Sequence, residues 1–179
     1  MSTNQPSRIL AVEIRALRLG YAVIENSKQL VDFGALLFNS PPEARRRIAR
    51  LLRTHHPSIL VLPGAGARYP RDMQSRRAIA RIAKDEAKKL GISSVRVSER
   101  DFKSFFGQYS CRNKYDVADI LAIWFPELAW RVPPALDFYD PEPRQMLYFD
   151  SIALGIAYVG APGKNEWSDT GGILSPASK

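Results

Sequence analysis

The sequence predicts an α/β fold: a five-stranded mixed sheet, three antiparallel strands and then strands alternating with helices, with helices on both faces. Two observations predict it. Residues 8–38 hold three short apolar segments parted by short polar breaks, the pattern of an antiparallel meander. Beyond residue 40, stretches of helical period alternate with short apolar runs, which lays helices against a sheet. The length, 179 residues, suits one domain with a real core.

The elements follow in order. "RILAVEI", "GYAVIEN" and "LVDFGALLF" are the three strands, with breaks at "RALRL" and "NSKQ". Ser40 is a fitting N-cap, the next two prolines suit a first turn, and Glu43 completes a capping box. That helix runs to about His55 and buries Ile48, Leu51 and Leu52. Ile59 to Leu62 form the fourth strand, stopped by Pro63 and Gly64. After the loop "GARYPRD", a second helix puts Ile79, Ile82, Ala83, Ala87 and Leu90 on one face, with Gly91 as its C′ residue. "SSVRV" is the fifth strand. Ser98 and Asp101 cap a short helix, "SERDFKSFF". "NKYDVADILAIWF" and "LYFDSIALGIAYV" are the last two helices, joined by a proline-rich irregular insertion over 131–145. Residues 1–7 and the Gly-, Ser- and Pro-rich stretch 161–179 are expected to be disordered ends around a domain over 8–160.

Composition bounds the function. Lysine plus arginine number 26 against 18 acids, a net charge of +8, which suits a polyanionic partner, nucleic acid first. Cys111 is the only cysteine, so neither an internal disulfide nor a cysteine zinc site can form. This fits a cytoplasmic protein. "MSTNQPS" lacks the apolar segment of a signal peptide, and no apolar run nears the roughly 20 residues needed to span a bilayer, so no membrane partner is expected.

The basic residues are patterned. Arg46, Arg50 and Arg53 share one face of the first helix. Arg77, Arg81, Lys84 and Lys88 share one face of the second, at i, i+4, i+7 and i+11. Arg15 and Arg18 lie in the first break, and Arg68 and Arg71 in the loop after the fourth strand. Such stripes neutralise phosphates; otherwise they are plain solvated faces. Tyr69, Phe105, Phe106 and Tyr109 are candidate base stackers or core residues. His55 and His56 sit at a helix end and suit capping.

The order, three consecutive strands and then helices alternating with strands, is that of the ribonuclease H-like fold. Within it, "VEIRALRLGYAVI" resembles, without a gap, the opening of the RuvC family of Holliday-junction resolvases. "HPSILVLPGAG", "FKSFFG", "NKYDVADIL" and "YFDSIALGIAY" follow in the family's order, so the resemblance spans about residues 8–159. It implies a metal-dependent nuclease in which four acids hold two metal ions on a phosphodiester. Glu13 falls on the first catalytic aspartate, and Gly20 and Tyr21 on a Gly-Tyr pair. Asp150 falls on an acid of the last helix. Pro63 stands where the family's fourth strand ends in a glutamate, Leu147 where a second helix acid stands, and Arg15 where a glycine stands. An alternative register places the helix acids at Asp116 and Asp119, which share a helix face.

The expected function is therefore binding of nucleic acid, DNA first, with weak or no cleavage. The expected catalytic and metal residues are Glu13 and Asp150, holding magnesium loosely, with manganese able to substitute. One alternative is an active endonuclease on branched DNA that uses acids such as Asp101, Asp116 or Asp119. The other is a non-catalytic subunit that binds protein through Trp124 to Tyr139. A homodimer is left open.

Overall fold

A computed structural model describes residues 7–26, 29–64, 73–134 and 142–160. The expected flexible ends, apart from Ser7, lie outside the described residues, as do Arg68, Tyr69 and Arg71. Five strands, β1 (Arg8–Arg15), β2 (Arg18–Glu25), β3 (Gln29–Leu37), β4 (Ile59–Pro63) and β5 (Ser93–Val97), form one sheet in the order β3-β2-β1-β4-β5. The first three are antiparallel; β4 runs parallel to β1, and β5 to β4. The first break is shorter than the sequence suggests. Arg15 and Arg18 are strand residues facing each other across a turn of Ala16 and Leu17, with Ala16 at φ 44°. Strand β3 is an outer strand, and its register against β2 shifts at Val23/Ile24.

Side-chain alternation along β1 splits the core in two. Leu10, Val12 and Ile14 face α1 (Pro41–His55) and α2 (Met73–Lys89), packing on Ile48, Leu52, Ile79 and Ala83. Ile9 and Ala11 face α3 (Glu99–Gly107), α4 (Lys114–Trp124) and α5 (Met146–Val159). Helices thus cover both faces, as a sheet with apolar residues on both sides requires.

The cap chemistry holds with one change. Ser40 Oγ accepts from the Glu43 N–H, but the Glu43 carboxylate returns to the N–H of Asn39, not to that of Ser40. Ser98 and Asp101 cap α3 as expected, and Gly91 ends α2 at φ 71°. Leu90 departs from the predicted apolar face: the helix stops at Lys89, and the leucine is 40% exposed. A 3-10 turn that the sequence reading did not place, Pro126–Arg131, leads into the irregular insertion and is pinned by the fully buried Leu128.

Helix α5 positions the site. Of its 14 residues, all but Asp150 are buried. It lies between the sheet and the α3/α4 layer, and an all-round apolar helix suits that place. Its approach to β2 depends on glycine. A Cβ on Gly20 would come 2.2 Å from Leu147 O and 2.6 Å from Ser151 Oγ. On the helix side, a Cβ on Gly155 would meet Ile24 Cδ1 at 2.7 Å.

Candidate functional site

Glu13 lies two residues from the end of β1, directly opposite Gly20 on β2. Where that glycine lets α5 come close, Ser151 accepts a hydrogen bond from the backbone N–H of Glu13 at 3.2 Å and donates to Leu147 O at 2.9 Å. This contact ties α5 to the site strand and sets Asp150, the neighbour of Ser151, beside it. Glu13 and Asp150 line one cleft, at the carboxyl ends of the parallel strands β1, β4 and β5. This is where the chain order switches direction across the sheet, the usual place for a site in such folds. The cleft's volume of about 60 Å³ gives room for a few waters.

Each carboxylate already carries a guanidinium. Arg76 of α2 reaches Glu13 with Nη2 3.0 Å from Oε1. Arg15 binds Asp150 through Nη2 and Glu142 through Nη1, and Lys114 also pairs with Glu142. The side chains of Glu13, Arg76 and Asp150 are 14%, 15% and 15% exposed, so water screens these pairs weakly. Pro63 ends β4 on the cleft wall and offers only a backbone carbonyl, taken by Arg96 at 2.8 Å. Leu147 is buried. A third carboxylate lines the cleft, Glu99 in the first turn of α3, paired with Lys103 at 2.8 Å.

The donor set does not fit a metal pair. Two-metal hydrolysis needs several carboxylates shared between ions about 3.5–4 Å apart. Here the three carboxylates are each held by a cationic side chain, and among the described residues no group of three or more His, Cys, Asp or Glu is placed to hold a metal ion.

The alternative acids stand apart from this cleft. Asp116 is the capping acid of α4, accepting from the N–H groups of Arg112 at 2.7 Å and Asn113 at 3.2 Å. Asp119 is exposed on the same helix, and Asp101 serves the α3 cap. None of the three lines the cleft. Of the two readings of the aromatic candidates, the core one holds for Phe105 and Phe106. Phe105 and Phe106 are buried, in a ring cluster with Tyr109 and Trp124. His56 ends α1 with φ 47°, and His55 pairs with Asp32 at 3.1 Å. The phenol of Tyr21 donates to that same Asp32, and its pKa is pushed up to about 12 by burial and by the Asp32 charge.

The stripes are where the helical period put them. Arg46, Arg50, Arg53, Arg77, Arg81, Lys84 and Lys88 are all exposed. None of the seven forms a close ion pair with a carboxylate among the described residues, and Arg46 lies near enough to Glu43 to help the Asn39 hydrogen bond lower its pKa. Their neighbours do form close pairs: Arg45 with Glu86, and Arg47 with Glu43 at 2.7 Å. Arg18 is exposed beside a groove that also takes in Arg15, Arg76 and Arg144.

Sequence reasoning missed Arg76, Glu99 and Glu142. Arg76 adjoins the stripe residue Arg77 but sits one position round the helix, toward the sheet. Glu99 follows the Ser98 cap, a position that reads as ordinary helix-start chemistry. Glu142 lies in the insertion, where no periodicity places a side chain.

The fold is of the ribonuclease H-like class, with the sheet and helix order described above. More particularly, it is the RuvC-like resolvase fold. The chain is similar to Thermus thermophilus RuvC in complex with a Holliday junction substrate, with TM-score 0.63 and 13% identity over 86% of this chain and 92% of that one. It is also similar to the yeast mitochondrial Holliday junction resolvase, with TM-score 0.58 and 10% identity over 85% and 78% of the two chains. The fowlpox virus Holliday junction resolvase gives TM-score 0.52 and 14% identity over 84% and 97%. The chain matches no protein-family profile, and comparison with curated proteins finds no sequence match. No helix among the described residues is long and apolar enough to cross a membrane.

Proposed function

We propose that this protein binds nucleic acid, DNA first and branched forms in particular, and that it cleaves weakly or not at all. The observation that carries the reading is the set of seven exposed cations without a close ion pair on α1 and α2. An exposed cation with no close ion pair keeps its charge available, and a row of them at helical spacing releases counterions from a phosphate backbone. The resolvases of similar fold act on Holliday junctions, by their names, and a branched substrate follows by analogy of fold. The low cleavage rests on Arg15 and Arg76, which neutralise Asp150 and Glu13. A divalent ion entering there would have to displace a mostly buried guanidinium, which costs several kcal/mol. The single cysteine and the polyanionic partner suit a cytoplasmic location.

The test is binding of a fluorescent four-way DNA junction at two salt levels, with Arg77, Arg81 and Lys84 changed together to alanine. The expected result is weaker binding by about tenfold or more at low salt and a salt slope shallower by about 2–3. An unchanged affinity and slope would overturn the reading. The same junction with magnesium or manganese tests cleavage. Rapid cutting abolished by Glu13→Gln would establish an endonuclease instead, with Glu99 the first residue to suspect as its further acid.

A further inference from the structure

We infer that Trp130 is a stacking platform for an unpaired nucleobase, at the far end of a cationic groove that starts at the Glu13–Asp150 cleft. The inference rests on the nucleic-acid reading and adds a second contact point with different chemistry. Trp130 is 75% exposed, on the 3-10 turn beside the outer strand β3. An exposed indole offers a large flat face on which a base can stack. Trp124, the other tryptophan among the described residues, is packed in the ring cluster of α3 and α4. Of the aromatic insertion read as a protein-binding surface, only Trp130 is thus presented among the described residues; 135–139 lie outside them.

The indole is held in place. The Arg131 guanidinium lies 4.1 Å from the Trp130 ring centroid and 5.2 Å from that of Phe33, so it is gripped between rings by cation–π attraction. A guanidinium on one face of the indole braces it and leaves the other face for a ligand. Among the described residues no carboxylate pairs with Arg131 or Arg144, and no acid lines the depression that these two arginines share with Trp130 and Tyr148. Among the described residues the charge there is positive.

The depression is continuous with the site. Arg76 borders both the cleft and the neighbouring groove. Arg144 and Ala35 border both that groove and the Trp130 depression. A strand leaving the cleft therefore passes Arg15, Arg18 and Arg144 and ends at an aromatic face. Arginines along a track with one exposed aromatic is the composition of a single-strand path, because every base has a π-face. A protein partner would also use Trp and Arg, but an approach lined by four arginines and one acid, Glu142, matches a phosphate backbone better.

The experiment compares three DNA probes on the full chain: a single-stranded oligothymidine, a fully paired duplex, and a junction with one unpaired arm. Trp130→Ala is expected to weaken binding of the single strand by about fivefold or more, and of the unpaired-arm junction likewise, with duplex affinity unchanged. Trp130→Phe should retain most of the affinity. Tryptophan fluorescence should be quenched by the oligothymidine in the parent and much less in Trp130→Phe. Arg144→Ala, which leaves the indole untouched, should weaken single-strand binding and lower its salt slope by about 1. Unchanged single-strand binding and quenching in the Trp130 variants would overturn the inference, even where the α2 triple variant still abolishes duplex and junction binding. Equal losses on all three probes would overturn it too, since Trp130 would then not read unpaired bases. Loss of self-association or of a bound protein, with DNA binding intact, would mark the face as a protein contact instead.

Discussion

Gly20 lies so close under the carbonyl of Leu147 that a Cβ there would stand 2.2 Å from the oxygen. Backbone cannot yield as a side-chain tip can, so Gly20→Ala must lift α5 from β2. The expected cost is about 1–3 kcal/mol of stability, the range for overpacking a core, read as a shift in the urea midpoint. Because Ser151 bonds the backbone of Glu13 from the same helix turn, the variant should also alter the cleft. Amide exchange at Glu13 should speed up relative to Val12. An unchanged midpoint would show that the helix has slack the packing does not suggest.

Arg15 and Arg76 hold the carboxylates of Asp150 and Glu13. Changing both to glutamine is expected to lower stability by about 1–3 kcal/mol, the penalty of leaving partly exposed carboxylates without their cations. Millimolar manganese should then raise the variant's Tm and leave the parent's unchanged. A parent protein already stabilised by manganese would mean that the guanidiniums give way readily and that the carboxylates hold an ion.

Acid should loosen the α1/α2 layer. Glu86 is buried at 5% exposure, and Lys89 and Arg45 both meet its Oε1. The Lys89 hydrogen bond, opposed by burial and aided by Arg45, holds its carboxyl below the usual range. A depressed folded pKa contributes stability above the unfolded carboxylate value, about 4.3, and that stability is lost as pH falls through the lower folded value. Urea midpoints measured from pH 6 down to pH 3 should fall less steeply for Glu86→Gln than for the parent. Parallel curves would assign the acid sensitivity to other carboxylates.

Much of this was legible in the residues. The three strands, both stripes and the caps on Ser40 and Ser98 follow from period and local chemistry, and Glu13 and Asp150 were placed by their resemblance to a family pattern. The pairing of those acids with arginines was not legible. Arg15 could be read as a charge near the site, but its bond to Asp150 joins residues 135 apart, and Arg76 reaches Glu13 across 63. No local rule ranks such partners. Phe105 and Phe106 stayed open between two readings for a related reason: an aromatic pair on a short helix looks the same whether it faces DNA or the underside of α4. Burial decides, and burial is a property of the assembled layers.

The outer strand β3 has a consequence for the behaviour of the protein in bulk. A strand at a sheet border can recruit the same strand from another molecule and seed fibres or precipitate. Val31 and Leu37, 39% and 56% exposed, would assist that. The shift of register at Val23/Ile24 bends the border out of flatness, and the Asp32 carboxylate covers the N–H of Phe33 at 2.8 Å. One hydrogen-bond donor on the strand is thereby occupied, and an incoming strand would meet a negative charge at that point. The border is guarded at its middle and left apolar at Leu37, so any growth of one sheet onto another would start at the Leu37 end.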